Sequence, residues 1–474
     1  MNQISSIVTA INDVLWGVPM MVILVGFGLF SSIYLGFPQI KKFGLGFSKS
    51  FGQIFKKREE GKAGSMSSFQ SLATAVAAQV GTGNIGGVAG AILSGGPGAV
   101  FWMWITALVG MSTIFVEAVL AQKYRIKRRG ELVAGPAFYI SQGFKNHNHA
   151  GIGKVLATIF SILIIVALGF IGNMVQSNSI ASVMTEAFHI DAIYIGIALA
   201  LLAALIFAGG MKRIGRFTEL IVPFMAALYI VGAIAILVKY ANQVLPTLGS
   251  IFSSAFTTKA VAGGVVGVTI REAIRYGVAR GLFSNEAGMG STPNSHGIAD
   301  VPHPVVQGSI AMVGVFIDTI IVCTATALII LVSGAQNSGL EGAQITMHAF
   351  SQAFGDIGAK FLAVSLLFFA FSTVIGWYYF GEANIKYLFK SKLAVRIYQC
   401  IVFAFIILGT LSKIGLVWQL ADMFNGMMVI PNAIALYFLV REAKALLKDF
   451  NHQESSGEPL HYDYPYEHET EAEK

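Results

Sequence analysis

Long apolar runs separated by short polar joints set the pattern of the chain. Runs of about 20 residues, the helix length needed to cross the hydrocarbon of a bilayer, recur eleven times. They lie near 14–36, 68–93, 98–122, 153–177, 191–210, 217–240, 261–290, 305–333, 359–382, 396–412 and 415–440. The pattern predicts an all-α polytopic membrane protein with about eleven transmembrane helices. The first run lacks a basic leader and is long enough to span, so it reads as a helix and not as a cleavable signal.

Composition agrees: 55% of the 474 residues are hydrophobic and only 12% are charged. A soluble fold of this size needs roughly twice that charge to wet its surface, which excludes one. The formal net charge of +7 could suggest a nucleic-acid partner, but its placement explains it better. Joints after alternate runs hold Lys41, Lys42, Lys49, Lys56, Lys57, Arg58 and Lys62, then Lys123, Arg125, Lys127, Arg128, Arg129, Lys145 and Lys154, then Lys212, Arg213 and Arg216. Lys386, Lys390, Lys392, Arg396, Arg441, Lys444, Lys448 and Lys474 follow the same alternation, and Arg271, Arg275 and Arg280 are read toward the cytoplasmic end of the seventh run. Only Lys239, Lys259, Lys360 and Lys413 fall on the other side, so 28 of the 32 basic residues share one face. By the positive-inside rule the N-terminus is outside and the C-terminus cytoplasmic, in a multi-pass protein of the plasma (inner) membrane. Cys323 and Cys400 lie in apolar runs and offer no disulfide or metal framework.

An odd number of spans fits one peripheral N-terminal helix, 1–36, and two inverted five-helix repeats, 66–240 and 255–440, followed by an acidic, disordered cytoplasmic tail, 449–474. Two runs are interrupted by glycine among polar residues. They carry Gly81-Thr82-Gly83-Asn84-Ile85-Gly86-Gly87 and Gly281-Leu282-Phe283-Ser284-Asn285-Glu286-Ala287-Gly288-Met289-Gly290-Ser291. Each opens a proposed half as a broken first helix, and each is followed by a run with an internal carboxylate, Glu117 and Asp318. Isolated glycines in membrane helices serve close packing. Polar clusters that unwind a helix at membrane depth persist only where protein or a cavity satisfies the backbone. Paired breaks of this kind point to a transporter's binding site.

Gly81-Thr82-Gly83-Asn84-Ile85-Gly86 also matches the dinucleotide fingerprint G-x-G-x-x-G, but helical flanks and the absence of an acid before Glu117 exclude that reading. The local physics still favours an anion. A half-helix starting at the break aims free N–H groups and its positive dipole end at a carboxylate. The half-helix ending there leaves free carbonyls, which suit a hard cation such as Na⁺.

The runs from Ser68-Phe69-Gln70 to Asn84-Ile85-Gly86-Gly87-Val88-Ala89, and from Arg280 to Ser291, closely resemble those of the alanine or glycine:cation symporter family, over about residues 10 to 440. The resemblance implies a leucine-transporter-like fold with one extra N-terminal helix, and sodium-driven uptake of small neutral amino acids. Val80-Gly81-Thr82-Gly83-Asn84 matches that wider fold's first broken helix. It implies that the amides of Thr82 and Gly83 meet the substrate carboxylate, and that the Gln79 carbonyl and Asn84 side chain approach a first sodium ion. A second sodium site is implied at the carbonyls of Ala77 and Val80, facing Ser372 and Thr373.

Further pocket candidates are Gln176, which either binds a polar ligand or joins helices, and Trp377, which either walls the side-chain pocket or anchors at the interface. Glu117 either serves function or pairs with the adjacent basic loop, Asp318 is equally open, and Glu286 either satisfies backbone or pairs with Arg280. Arg271 and Arg275 read as a polar face near the cytoplasm. His147 and His149 lie in a polar loop, and His452, His461 and His468 lie in the acidic tail, a solvated tract rather than a metal-capturing one. No H-E-x-x-H or G-x-S-x-G motif supports an enzyme, and no filter loop supports a channel. The expected function is sodium-coupled import of alanine or glycine. The alternative is a proton-coupled or broader neutral amino-acid transporter or exchanger on the same fold. The expected partners are the amino acid, sodium and the lipid bilayer, with no nucleic acid.

Overall fold

The computed structural model describes residues 2–52, 64–128, 130–257 and 269–464. Lys56, Lys57, Arg58, Lys62, Arg129, Lys259 and Lys474 lie outside the described residues, as do Glu467, His468, Glu469, Glu471 and Glu473. Apart from one small hairpin, Ile126–Arg128 (β1) against Glu131–Val133 (β2), the described elements are helices.

The main helices are α1 (Asn2–Leu15), α2 (Val18–Leu35), α3 (Ser68–Gln79), α4 (Gly83–Gly95), α5 (Gly98–Lys123), α6 (Pro136–Asn146), α7 (Ala150–Phe188), α8 (Ala192–Phe207) and α9 (Gly210–Lys239). They continue as α10 (Ile270–Asn285), α11 (Pro293–His296), α12 (Pro304–Ser333), α13 (Ala343–Leu388), α14 (Lys392–Leu411) and α15 (Ile414–Ser456). Eight helices among the described residues are long and apolar enough to cross a membrane, or nine when α3 and α4, bent by 48°, count as one. That is fewer than the eleven runs, for two reasons. The run at 191–210 becomes α8, apolar but only 16 residues long. The run at 261–290 yields only α10 among the described residues, and Arg271, Glu272, Arg275 and Arg280 make it too polar.

Both broken helices start from a capping box. Ser67 Oγ accepts from Gln70 N–H (3.1 Å) while Gln70 Oε1 accepts from Ser67 N–H (3.2 Å). Thr269 and Glu272 repeat this, at 3.2 and 2.8 Å. Each box satisfies two amide groups that a helix start otherwise leaves free. The halves then cross: α3 packs on α11 and α4 on α10, so the two broken helices run antiparallel through the centre. α5 lies against α10 and α12, and α13 lies against α3, α7 and α9. The α3–α13 approach depends on Gly376, where a Cβ would stand 3.1 Å from the backbone of Ala78.

The bundle has two ends. The head end holds α1 and the start of α15; the tail end holds Lys123, Lys386 and the close of α15. The arginines of α10 lie at the head end, where Arg275 pairs with Asp13 of α1 (2.6 Å) and Arg280 with Asp422 of α15 (2.7 Å). They therefore lie at the opposite end from Lys123 and Lys386, not beside them as expected, because α10 begins at Ile270 and carries its arginines before the break at Glu286. The tail expected to be disordered from 449 continues as helix to Ser456, and Tyr464 is buried.

Candidate functional site

Three short π-helical stretches bring polar groups to the crossing point: Gly83–Gly87 at the start of α4, Ile165–Gly172 within α7 and Phe316–Cys323 within α12. Such wide turns often mark functional positions, because they displace side chains and loosen carbonyls. They carry or border Asn84, Gln176 and Asp318.

The first break is short. Val80 is extended (φ −83°, ψ 92°), and the backbone groups it frees are held by side chains. Gly81 N–H donates to Asn84 Oδ1 (2.8 Å), and Thr82 N–H donates to Gln176 Oε1 (3.2 Å). Gln176 therefore reaches the amide expected to hold a carboxylate. Gly83 lies under Phe283 and Ser284, 3.3 and 3.4 Å from where its Cβ would stand. Thr82 Oγ1 is buried without a hydrogen-bond partner.

The carbonyl side of this break faces α13. Thr373 Oγ1 lies 2.9 Å from Ala77 O, 3.3 Å from Val80 O and 3.1 Å from Phe369 O. Ser372 Oγ donates to Phe369 O (2.8 Å) and approaches Ala77 O (3.5 Å). Ala77, Val80, Ser372 and Thr373 are thus brought together as expected. Two hydroxyl protons serve three carbonyls, so oxygen acceptors outnumber donors, which is the donor set a hard cation prefers.

Gln79 and Asn84 lie elsewhere. Gln79 Nε2 donates to Asn285 O (2.6 Å), and its Oε1 is buried without a partner. Asn84 Nδ2 donates to Asp318 Oδ1 (2.6 Å), which also accepts from Ser284 Oγ (3.0 Å); Thr319 Oγ1 donates to Oδ2 (2.7 Å). Asp318 therefore joins both breaks through neutral donors, a pairing between residues 234 positions apart that no sequence spacing displays.

The second break is longer and built differently. Glu286, Gly288 and Gly290 are left-handed, with φ of 57°, 89° and 79°. Gly288 and Gly290 donate their amides to the two oxygens of Glu117 (both 3.0 Å), and Asn432 Nδ2 donates to Glu117 Oε1 (2.6 Å). Tyr139 OH in turn donates to Asn432. Glu117 thus holds unwound backbone instead of pairing with the basic loop. Glu286 does not pair with Arg280: it accepts from Trp377 Nε1 and Ser291 Oγ, both at 2.5 Å. Trp377, 2% exposed, is correspondingly no interfacial anchor. Its ring meets Phe283 edge-on, and a Cβ on Gly172 would stand 2.6 Å from it.

Sequence reasoning missed Ser284 and Thr319 as partners of Asp318, and Asn432 as a partner of Glu117. A polar residue inside an apolar run was their available signal. It also missed the Arg280–Asp422 pair, whose two hydrogen bonds of 2.8 and 2.7 Å join α10 to α15 at the head end.

The chain is also similar to known proteins along nearly its whole length. The family model described as "Sodium:alanine symporter family" matches residues 1–463. Sodium/alanine symporter AgcS of Methanococcus maripaludis is 41% identical, over 94% of this chain and 97% of that protein. Putative sodium/proton-dependent alanine carrier protein YrbD of Bacillus subtilis is 40% identical (95% and 93%), and probable sodium/glutamine symporter GlnT of the same organism is 39% identical (96% and 93%). With a family match along nearly its whole length and relatives about 40% identical, the chain belongs to the sodium:alanine symporter family, a family of amino-acid symporters and not of enzymes.

Proposed function

We propose that the chain imports small neutral amino acids, alanine or glycine, with sodium, by alternating access on a leucine-transporter-like fold. The layout we assign is an N-terminal segment 1–36, which the structure forms as α1 and α2 where one helix was expected, followed by inverted repeats 66–240 and 255–440. The antiparallel crossing of α3–α4 with α10–α11 supports this, since paired breaks at the centre are how such transporters hold substrate and ion.

The observation that carries the reading is that Thr373 Oγ1 faces the carbonyls of Ala77, Val80 and Phe369, with Ser372 Oγ beside it. Sodium there would be held by Ala77 O, Val80 O, Ser372 and Thr373, supplying positive charge that ties α3 to α13. In this reading Thr82 N–H, released by Gln176, and Gly83 N–H receive the substrate carboxylate at the start of α4. Trp377, fixed by Glu286, walls the side-chain pocket and keeps it alanine-sized. Gln79 and Asn84 flank a first ion site next to Asp318. Binding of ion and substrate at one break couples their affinities, which is what symport requires.

We place the protein in the plasma (inner) membrane with its C-terminus cytoplasmic. With the three arginines of α10 moved to the other side, the alternation along the sequence still assigns 25 of the 32 basic residues to one face. Uptake of labelled alanine into proteoliposomes tests the reading: it requires an inward sodium gradient, and equal uptake with potassium at fixed pH rejects sodium coupling. Asp318 favours a second reading, proton coupling, because a buried carboxylate with only neutral partners can take up a proton in place of a cation. A broader neutral substrate range is the further alternative that the name of GlnT suggests.

A further inference from the structure

The tail end is closed by a zip and a strap. In the zip, Met66, just before α3, pairs with the segment just after α11. Met66 N–H donates to Ile298 O (3.2 Å), Asp300 N–H donates to Met66 O (2.9 Å), and Ser71 Oγ donates to Ser295 O (2.7 Å). These bonds tie the tail-end termini of the two broken helices to each other. Neither terminus can swing outward while they hold.

The strap crosses over this zip. α15 ends at Ser456, and Gly457 turns the chain in a left-handed cap (φ 73°). The chain doubles back, with Gln453 Nε2 donating to His461 O (3.0 Å) and His461 N–H donating to Gln453 Oε1 (2.9 Å). Tyr464 is then 3% exposed, its hydroxyl 3.1 Å from Val301 O and 3.2 Å from Gln122 Oε1. The Arg125 guanidinium stacks 3.6 Å above its ring and donates to Ala299 O (2.6 Å). Gln122 Nε2 donates to His296 O (2.5 Å), the last residue of α11. Tyr464 therefore sits on a continuous set of bonds that runs from α5 to the terminus of the second broken helix.

The base of the strap is anchored separately. Lys42 pairs with Glu454 (2.5 Å), and His303 Nε2 lies 3.1 Å from Asp449 Oδ2. The tip carries no ion pair to the bundle among the described residues; hydrogen bonds, the Arg125 stack and ring contacts of Tyr462 with His303 and Tyr464 hold it, interactions that break and re-form more readily.

We infer that residues 457–464 form an autoinhibitory strap, whose Tyr464 must leave Gln122 and Val301 before the tail end opens. The inference rests on the alternating-access reading, because it assigns the strap to one of that cycle's two exits.

Cys323 provides the probe, since its thiol lies between the breaks, 3.3 Å from both Asn84 Nδ2 and Ser284 Oγ. In a full-length Cys400→Ala background it is the single thiol. Its labelling rate by a membrane-impermeant maleimide is measured from each face of oriented vesicles. Tyr464→Ala raises labelling from the tail-end face roughly tenfold, about what losing a hydrogen bond and the ring stack together does to a two-state population, and leaves the head-end face unchanged. Truncation after Ser456 does at least as much. Tyr464→Phe, which keeps the ring over Arg125 and spares the fold, gives a smaller rise from the same face. Unchanged labelling in all three variants, or an equal rise from both faces, overturns the strap. Sodium-independent alanine uptake by the unmodified chain would overturn the coupling reading alone, because the labelling needs no substrate.

Discussion

The two breaks at the centre are made from similar sequence and held in opposite ways. The first, at Val80–Thr82, has no left-handed residue, and neutral side-chain acceptors occupy its amides, Asn84 on Gly81 and Gln176 on Thr82. The second, from Glu286 to Thr292, has three left-handed residues, and the carboxylate of Glu117 binds two of its amides. Glu117 accepts two amides and Asn432 at once, whereas Gln176 holds Thr82 by a single bond. A ligand carboxylate can outcompete Gln176 for an amide, but it gains nothing by displacing Glu117. In the proposed reading the first break is where ligand exchanges and the second is a scaffold.

The largest effect should come from attacking the scaffold. Glu117→Ala leaves two buried amides without acceptors, a loss of about 2–6 kcal/mol at about 1–3 each. The midpoint of thermal unfolding in detergent should fall steeply, whereas Glu117→Gln, which keeps an acceptor oxygen, should fall less. A stable Glu117→Ala protein would mean that the second break does not depend on this carboxylate.

Gly81→Ala comes next and strikes the first break. Its Cβ would stand 2.4 Å from Thr373 Oγ1 and 3.0 Å from Gln176 Oε1. Overpacking of this kind costs about 1–3 kcal/mol, so alanine uptake should drop roughly 10- to 100-fold while folding is retained. Normal uptake would place the site elsewhere. Thr373→Ala removes one oxygen from the acceptor cluster, and the sodium concentration for half-maximal uptake should rise about tenfold, the equivalent of about 1.4 kcal/mol. An unchanged value would remove Thr373 from the ion site. The smallest effect is expected of Gln176→Leu, which frees Thr82 N–H for the substrate but deprives it of an acceptor in the empty state. The alanine KM should shift by about threefold to tenfold, with thermal stability little changed. A KM that does not move would make Gln176 a link between helices only.

Much of this comparison was legible in the sequence. Both breaks announce themselves as glycine mixed with Thr, Asn, Ser or Glu, and the face formed by Ala77, Val80, Ser372 and Thr373 follows from the resemblance and is assembled in the structure. Less legible was the start of α10. A hydropathy window merges 261–290 into one run and so moves Arg275 and Arg280 to the wrong end, although Thr269 with Glu272 three residues later spells a helix start. The carboxylates stood out in the sequence, but their partners did not. Glu117 finds Gly288 across 171 positions, and only the packing of α5 against α10 brings them within reach. The ordered strap was hidden because an acidic tail looks solvated, and its aromatic residues, Tyr462 and Tyr464, were outvoted by their neighbours.

The central claim is that ion and substrate share the first break, and equilibrium binding of alanine to the purified protein in sodium and in potassium tests it most directly. The account predicts that sodium raises alanine affinity at least about tenfold, and that Thr373→Ala needs more sodium to reach the same affinity. Equal alanine affinity in the two salts, or a sodium effect untouched by Thr373→Ala, would contradict it.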